Sequence, residues 1–207
     1  MIAVTACYRI ETRGMKAISG VRRIKTPAGD RASDVLDAAL LRDEPVSLLL
    51  STGFCGGLQP ELQIGDLVLA DTIWHRGKEI RVARDLLGRV QQTLDRFGTR
   101  TGPCASVSFV ADGEKKRELA GTGAISVDME SGPLADWACR REVPFLMLRV
   151  VLDPLDADLP FSIDRSVVAS LARHPIWSAR IVRSAARAGR RLGIALNELL
   201  PALKEGS

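Results

Sequence analysis

The chain has 207 residues, of which 46% are hydrophobic and only 4% are aromatic, and it carries 29 Lys and Arg against 25 Asp and Glu. This length and composition predict one packed domain with an aliphatic core, and they exclude a disordered chain. The net charge of +4 is too small to indicate nucleic-acid binding, and no interleaving of basic and aromatic residues supports it.

Cysteine and histidine usage argues against a metal site. The four cysteines form no Cys-x-x-Cys pair, and the chain has only two histidines. We expect buried thiols at Cys7, Cys55 and Cys104 and a reducing compartment, because these cysteines lie in apolar or Gly-rich stretches. Residues 1–7 lack the features of a signal peptide and no apolar run reaches transmembrane length, so we expect a cytoplasmic protein.

Apolar runs and helical spacing predict the elements in chain order. Strands are expected at 2–7, 46–50, 67–70, 105–110 and 145–151, and helices at 30–43, 84–97, 129–141 and about 166–200, the last with a break near Pro175. Alternating strands and helices predict an α/β fold, with a central mixed sheet flanked by helices. We expect a single domain over residues 1–207, with residues 201–207 as a frayed tail.

A Gly-rich stretch follows the strand at 46–50 and contains Gly53, Phe54 and Gly56. Glycine lets a ligand approach the main chain closely, and such a stretch can present N–H groups to an anion or a hydroxyl. It matches neither phosphate-binding glycine motif, so a tight turn leaving the strand explains it equally well.

Two acidic segments are candidates for chemistry. Glu130, beside Met129, sits at a helix start, where a carboxylate can accept hydrogen bonds from a ribose diol, or simply complement the helix dipole. Asp153 ends a buried strand, and the apolar residues before it can raise its pKa, which would suit a general acid. An Asp before Pro154 is also typical of a turn. Glu11 follows the first strand and is a candidate for orienting a nucleophile or an ordinary surface residue.

Basic residues recur at helical spacing near the carboxyl end of the chain. An apolar face opposite them is expected at Val182, Ala185, Leu192, Leu196 and Leu199. The stripe indicates either a solvated helix face or peripheral contact with an anionic membrane. Its members are Arg180, Arg183, Arg187, Arg190 and Arg191.

Taken together, these segments resemble the purine nucleoside and uridine phosphorylase superfamily over residues 1 to about 200. The stretches that carry the resemblance are 51–58 with 64–68, 127–131 and 144–153, in that order along the chain. Within the superfamily, Thr122 to Ala124 and Arg149 to Pro154 resemble the hopanoid-associated phosphorylases. That resemblance implies release of adenine from a lipid-linked adenosine such as adenosylhopane, without a cofactor and with phosphate as a candidate co-substrate.

The resemblance also implies roles for individual residues. Asp153 would protonate or hydrogen-bond N7 of the leaving purine, and Met129 and Glu130 would hold the ribose. Phe109 would stack on the base, and the backbone of Val110 would bond its edge. Glu11 matches the position that activates water in the nucleosidase branch, and the stretch with Gly53, Phe54 and Gly56 would line the substrate. The family further implies a homo-oligomer.

Three departures from the family pattern leave the nucleophile open between water and phosphate. Phe54 and Leu152 stand where many members carry serine, and neither Arg22 nor Arg23 matches a phosphate-binding arginine securely. A non-catalytic nucleoside-binding protein is therefore the alternative to an enzyme that cleaves the N-ribosyl bond.

Overall fold

A computed structural model describes residues 1–40, 45–156 and 175–205, with the side chains of the last helix described from residue 182 onwards. The strands are β1 Ile2–Ala6, β2 Val21–Lys25, β3 Leu48–Gly57, β4 Leu67–His75, β5 Lys78–Arg81, β6 Arg100–Ser106, β7 Ser126–Asp128 and β8 Phe145–Asp153. The helices are α1 Arg31–Leu40, α2 Arg84–Leu94 with a 3-10 turn at Asp95–Phe97, α3 Gly113–Ala120, α4 Ser131–Arg140 and α5 Pro175–Glu205.

These strands form one mixed sheet with the order β2-β1-β3-β7-β6-β4-β5, and β8 pairs with both β3 and β4. The β3–β8 pairing is parallel, whereas β8 runs antiparallel to β4 over Leu67–Leu69. Together with the β3–β7, β7–β6 and β6–β4 pairings, these contacts close a circuit of five strands. The predicted α/β fold with a central mixed sheet flanked by helices is confirmed.

Aliphatic side chains cover both faces of the sheet, which explains the continuous apolar runs of β3 and β8. One face packs against α2 and α5, in a core that includes Leu50, Leu148, Val90 and Leu196. The other packs against α1 and α4, in a core that includes Leu49, Leu36 and Trp137. The two central strands are therefore buried from both sides, and polar groups placed on them are removed from water.

Helix α5 packs closely on the segment that follows β1. A Cβ added to Gly189 would clash with the carbonyl oxygen of Ile10, and one added to Gly193 would lie 2.6 Å from the carbonyl oxygen of Arg13. Only glycine allows the helix to approach this backbone so closely. The approach fixes the position of the segment that carries Glu11.

Several sequence expectations need correction. The strand expected to reach Val110 ends at Ser106, because the chain leaves the sheet for the loop before α3. The last helix is described from Pro175 to Glu205, so its expected start near residue 166 lies outside the described residues and the expected break near Pro175 stays a prediction. The prediction of a frayed tail is wrong for residues 201–205, since Leu203 is 3% exposed and packs into the core.

We predict that Gly189→Ala destabilises the protein by about 1–3 kcal/mol, because the added methyl group must displace the backbone at Ile10. Gly88→Ala, in α2, is the matched control, because nothing lies within 4 Å of the added Cβ. There we expect up to about 1 kcal/mol of stabilisation from helix propensity. Urea unfolding of both variants measures the difference, and equal effects at the two positions would contradict the close approach.

Candidate active site

The guanidinium of Arg149 lies in the middle of β8 and is 1% exposed. It forms ion pairs with Asp128 Oδ2 at 2.8 Å and Glu130 Oε2 at 3.3 Å. Its remaining contacts go to polar groups of β3 and α4, namely the Ser51 hydroxyl, the Thr52 carbonyl and the Ser131 hydroxyl. A buried cation is tolerated only when it is paired and hydrogen-bonded, and Arg149 meets both conditions.

Asp128 links this charge to the start of α4. Its side chain is fully buried and accepts hydrogen bonds from the backbone N–H and the hydroxyl of Ser131. It therefore accepts the first backbone N–H of α4, while it also neutralises Arg149. The bend between β7 and α4 is held by these contacts, which place Glu130 beside the guanidinium.

Glu130 is the carboxylate of this group that keeps contact with solvent, since 13% of its side chain is exposed. Burial raises its pKa to about 7, Arg149 opposes that rise, and the neighbouring Asp128 and Glu11 add to it. Near neutral pH the group therefore exchanges a proton readily, and its carboxylate can accept hydrogen bonds from a diol. Met129, beside it, is half-buried, and its carbonyl accepts from the Gly29 N–H.

Glu11 is buried, with 2% of the residue exposed, so the alternative of an ordinary surface glutamate is wrong. Its two oxygens accept from the backbone N–H groups of Tyr8, at 2.7 Å, and Phe54, at 3.2 Å. Burial raises its pKa, against the effect of these donors and of Arg149. A buried carboxylate with a raised pKa suits a general base acting near neutral pH.

Gly53 allows the side chains of Arg149 and Glu11 to lie close to the backbone of β3. Its φ of 143° is unfavourable for other residues, and an added Cβ would lie 2.5 Å from Arg149 Nη1 and 2.8 Å from Glu11 Oε1. The Gly-rich stretch is part of β3 itself, which extends to Gly57, so the interpretation as a turn leaving the strand is wrong. Phe54 directs its side chain into the aliphatic core and offers only its N–H to Glu11.

A second polar centre lies at the carboxyl end of β8. Asp153 Oδ2 is 2.5 Å from Lys116 Nζ, whereas Oδ1 is buried and has no hydrogen-bond partner among the described residues. Burial raises the pKa of Asp153, and Lys116 opposes the rise. Gly56 pairs with Asp153, and a Cβ there would lie 2.9 Å from Val127 Cγ1, so glycine is required for β7 to pack at this point.

The two centres are aligned along the same pair of strands. Gly53 is opposite Arg149 and Gly56 is opposite Asp153, so about three residues, or roughly 10 Å, separate them. Glu11 and Glu130 thus lie beside the middle of the β3–β8 pair, and Asp153 lies at its carboxyl end. This span is comparable to the length of a nucleoside.

Phe109 and Val110 lie on the loop between β6 and α3 and are 43% and 36% exposed. Lys115 Nζ lies 5.4 Å from the centre of the Phe109 ring. The structure therefore leaves aromatic surface exposed near the start of α3, the helix that carries Lys116. Sequence reasoning missed Lys116, since a lysine within the polar run 112–118 resembles a solvated side chain.

A cavity of about 530 Å³ lies beside the segment that carries Glu11. Strands β1 and β2 contribute both apolar and basic residues to its lining, and four basic residues line it in all. Arg9, Arg13 and Lys25 form no ion pair with a carboxylate of the described chain, and Arg23 donates to the Met15 carbonyl. The cavity is lined by Val4, Ala6, Tyr8, Arg9, Thr12, Arg13, Gly14, Met15, Arg23, Ile24 and Lys25.

Within residues 1–40, 45–156 and 175–205, no group of three or more His, Cys, Asp or Glu side chains is arranged to hold a metal ion. No helix in the same ranges is long and apolar enough to cross a membrane.

The family model of the phosphorylase superfamily matches residues 23–186. The chain belongs to this superfamily. The match includes Glu130 and Asp153 and begins after Glu11. The predicted superfamily is confirmed, whereas the closer resemblance to hopanoid-associated phosphorylases stays a prediction.

Individual relatives agree with this placement. The 5′-methylthioadenosine/S-adenosylhomocysteine nucleosidase of Tolumonas auensis is 22% identical over 190 residues, which cover 77% of this chain and 78% of that protein. The Streptococcus pneumoniae nucleosidase in complex with 8-aminoadenine superposes with a TM-score of 0.73 at 18% identity, covering 97% and 99% of the two chains. A futalosine hydrolase mutant of Helicobacter pylori has a TM-score of 0.68 at 18% identity, covering 96% and 99%.

We predict that Glu130 makes stability fall as pH rises. Its pKa of about 7 in the folded protein exceeds the ordinary value of 4.5, so the folded state binds the proton more tightly. The stabilising effect is complete below about pH 4.5 and is lost as pH rises through 7, and it amounts to at most about 3 kcal/mol. Urea unfolding of wild type and Glu130→Gln between pH 5 and 8 should show a steeper fall in stability in the wild type, because Glu11 and Asp153 contribute in both proteins; parallel slopes would contradict the role of Glu130.

Proposed function

We propose that this protein is an enzyme that cleaves the N-ribosyl bond of a purine nucleoside and releases adenine. The observation that carries the proposal is the buried, unpartnered Oδ1 of Asp153 at the carboxyl end of the β3–β8 pair, with Glu11 and Glu130 beside the middle of the same pair. Membership of the phosphorylase superfamily supports the reaction class, and the nucleosidase relatives support a purine.

The chemistry requires two charges to be stabilised at once. As the bond between C1′ and N9 breaks, its electron pair moves into the purine and positive charge develops on the ribose. Asp153 donates a proton to N7 from Oδ1, so adenine leaves as a neutral base. Burial raises the pKa of Asp153 above the ordinary value of an aspartic acid, which is the direction that a general acid needs. Glu130 accepts hydrogen bonds from the ribose hydroxyls and stabilises the positive sugar, with Met129 against the sugar face.

Water is the nucleophile that this arrangement favours. Glu11 takes a proton from water as the water oxygen bonds to C1′, which balances the proton that Asp153 gives up. The cation that acts on the pKa of Glu11 is Arg149, and its two terminal nitrogens already contact Asp128, Glu130, Ser51, Thr52 and Ser131. Beside Arg149 a phosphate dianion would therefore meet carboxylates, whereas the basic residues without a carboxylate partner in the described chain line the neighbouring cavity.

The purine base and the substituent at the 5′ position of the ribose have separate candidate sites. We place the base against the exposed ring of Phe109, with the backbone of Val110 at its edge. For the lipid-linked adenosine implied by the sequence resemblance, we assign the 5′ substituent to the cavity next to Tyr8, whose lining includes Val4, Met15 and Ile24. The exposed positions of Phe109 and Val110 also suit a site that a second copy of the chain completes, as expected of a homo-oligomer.

Peripheral membrane contact would use helix α5. Arg183, Arg187 and Arg190 are exposed, and Val182 and Ile194 are exposed beside them, so Val182 is not part of the apolar inner face. Ala185, Leu192, Leu196 and Leu199 are buried as expected. Arg191 binds the carbonyl of Phe97 and pairs with Asp66, which leaves three described arginines of the stripe for lipid.

We predict that Asp153→Asn lowers kcat for adenine release by about 100-fold or more, because an amide cannot donate the proton. Release should not depend on added phosphate in the wild type. The assay measures adenine from adenosine and from adenosines extended at the 5′ position, with and without phosphate. Retained turnover in Asp153→Asn would contradict the role of Asp153 as the acid. A strict requirement for phosphate would contradict water as the nucleophile. Tight nucleoside binding without any turnover would instead support the non-catalytic alternative.

We predict that vesicles containing an anionic lipid bind the protein in low salt, and that Arg183→Gln combined with Arg187→Gln weakens this binding several-fold. Arg76→Gln is the control, because Arg76 is exposed but lies on another surface, paired with Asp30. Co-sedimentation measures the bound fraction. Equal binding to neutral and anionic vesicles would contradict the membrane proposal and leave the catalytic one untouched.

A further inference from the structure

Lys116 is the only residue of α3 whose side chain is buried, and it is 1% exposed. Its neighbours Glu114, Lys115, Arg117 and Glu118 are all exposed, so the helix covers the end of β8 with a charged group rather than with an apolar one. Burying an ammonium group is costly unless its donors are satisfied. The position of Lys116 therefore requires an explanation beyond helix packing.

All three N–H groups of the Lys116 ammonium have acceptors. Nζ lies 2.5 Å from Asp153 Oδ2, 3.0 Å from the Asp153 carbonyl oxygen and 2.8 Å from the Pro154 carbonyl oxygen. A neutral amine could not donate to three acceptors at once, so these contacts require the charged form. The two main-chain contacts hold the ammonium against the turn after β8. In this position Nζ also stays in contact with the Asp153 carboxylate.

The two oxygens of Asp153 consequently differ. Oδ2 is held by Lys116, whereas Oδ1 is buried without a hydrogen-bond partner in the described part of the chain. The preceding residue, Leu152, has no side-chain donor that could orient the carboxyl group. The Lys116 contact thus fixes Oδ2 and leaves Oδ1 as the oxygen without a hydrogen-bond partner.

We propose that Lys116 is a positioning residue for the proposed acid: it holds Oδ2 of Asp153 so that Oδ1 carries the proton to the purine. This inference rests on the proposed function. When Oδ1 gives its proton to N7, Asp153 becomes a carboxylate and Lys116 neutralises the new charge. The lysine keeps its own proton throughout, so one proton moves and the pair changes from a net charge of +1 to zero.

The charged and titratable groups around Asp153 indicate that its pKa depends on the contact with Lys116. The nearby charged group is Lys116 of α3, which lowers the pKa of Asp153. Cys55 of β3 is buried nearby, and burial raises the pKa of its thiol, so it stays neutral around pH 7. Removal of the lysine charge should therefore raise the pKa of Asp153 further.

The first test compares Lys116→Met with the control Lys78→Met, which removes an exposed lysine that also has a carboxylate partner, Asp136. We expect Lys116→Met to lower kcat by about ten- to 100-fold and to move the basic limb of the kcat profile to higher pH. Lys78→Met should match the wild type. Lys116→Arg should return part of the pH shift because it restores a positive charge. A fall in kcat with an unmoved pH limb would indicate a merely structural role and overturn the proposal.

The second test needs neither activity nor a variant that folds with Lys116 removed. Carbon NMR of the Asp153 carboxyl group in the wild type, assigned with Asp153→Asn, reports its titration, and the nitrogen chemical shift of Lys116 Nζ should change with the same midpoint while the ammonium stays protonated. Independent titration of the two groups would overturn the inference. Asp153→Asn with full turnover would overturn the proposed function instead, so the two failures are distinguishable.

Discussion

One buried guanidinium organises this protein. Arg149 lies on a strand that is covered on both faces, so its charge must be neutralised within the fold. Asp128 and Glu130 supply that neutralisation, and Glu11 lies close enough to affect the same group. The position of α4 and the entry of the segment after β1 both follow from this requirement.

The same constraint explains why acids in this site have unusual proton affinities. More carboxylates surround Arg149 than one cation can neutralise, and burial penalises each negative charge. The result is a raised pKa at Glu130 and Glu11, two groups that need to exchange protons or hydrogen bonds with a ligand. Asp153 lies about three residues from Arg149 along the strand pair. Burial raises its pKa too, but it has its own cation, Lys116.

Much of the fold could be predicted from the sequence, because buried strands and amphipathic helices have clear apolar patterns. The acids at 130 and 153 were also found, since each follows a recognisable strand or precedes a recognisable helix. The ends of elements were less predictable: β6 stops at Ser106, and the last helix continues through 201–205 because Leu203 packs into the core. Such ends depend on tertiary contacts that no local pattern contains.

The sequence by itself determined the α/β class, the apolar core and the superfamily, because these depend on patterns within each segment and on their order. Only the tertiary structure decided that Glu11 is buried, that Phe54 turns into the core and that Lys116 binds Asp153. Each of these depends on a contact between residues far apart in the chain. The physical reason is that the cost of burying a charge is set by the partner it meets, and that partner is known only once the chain is folded.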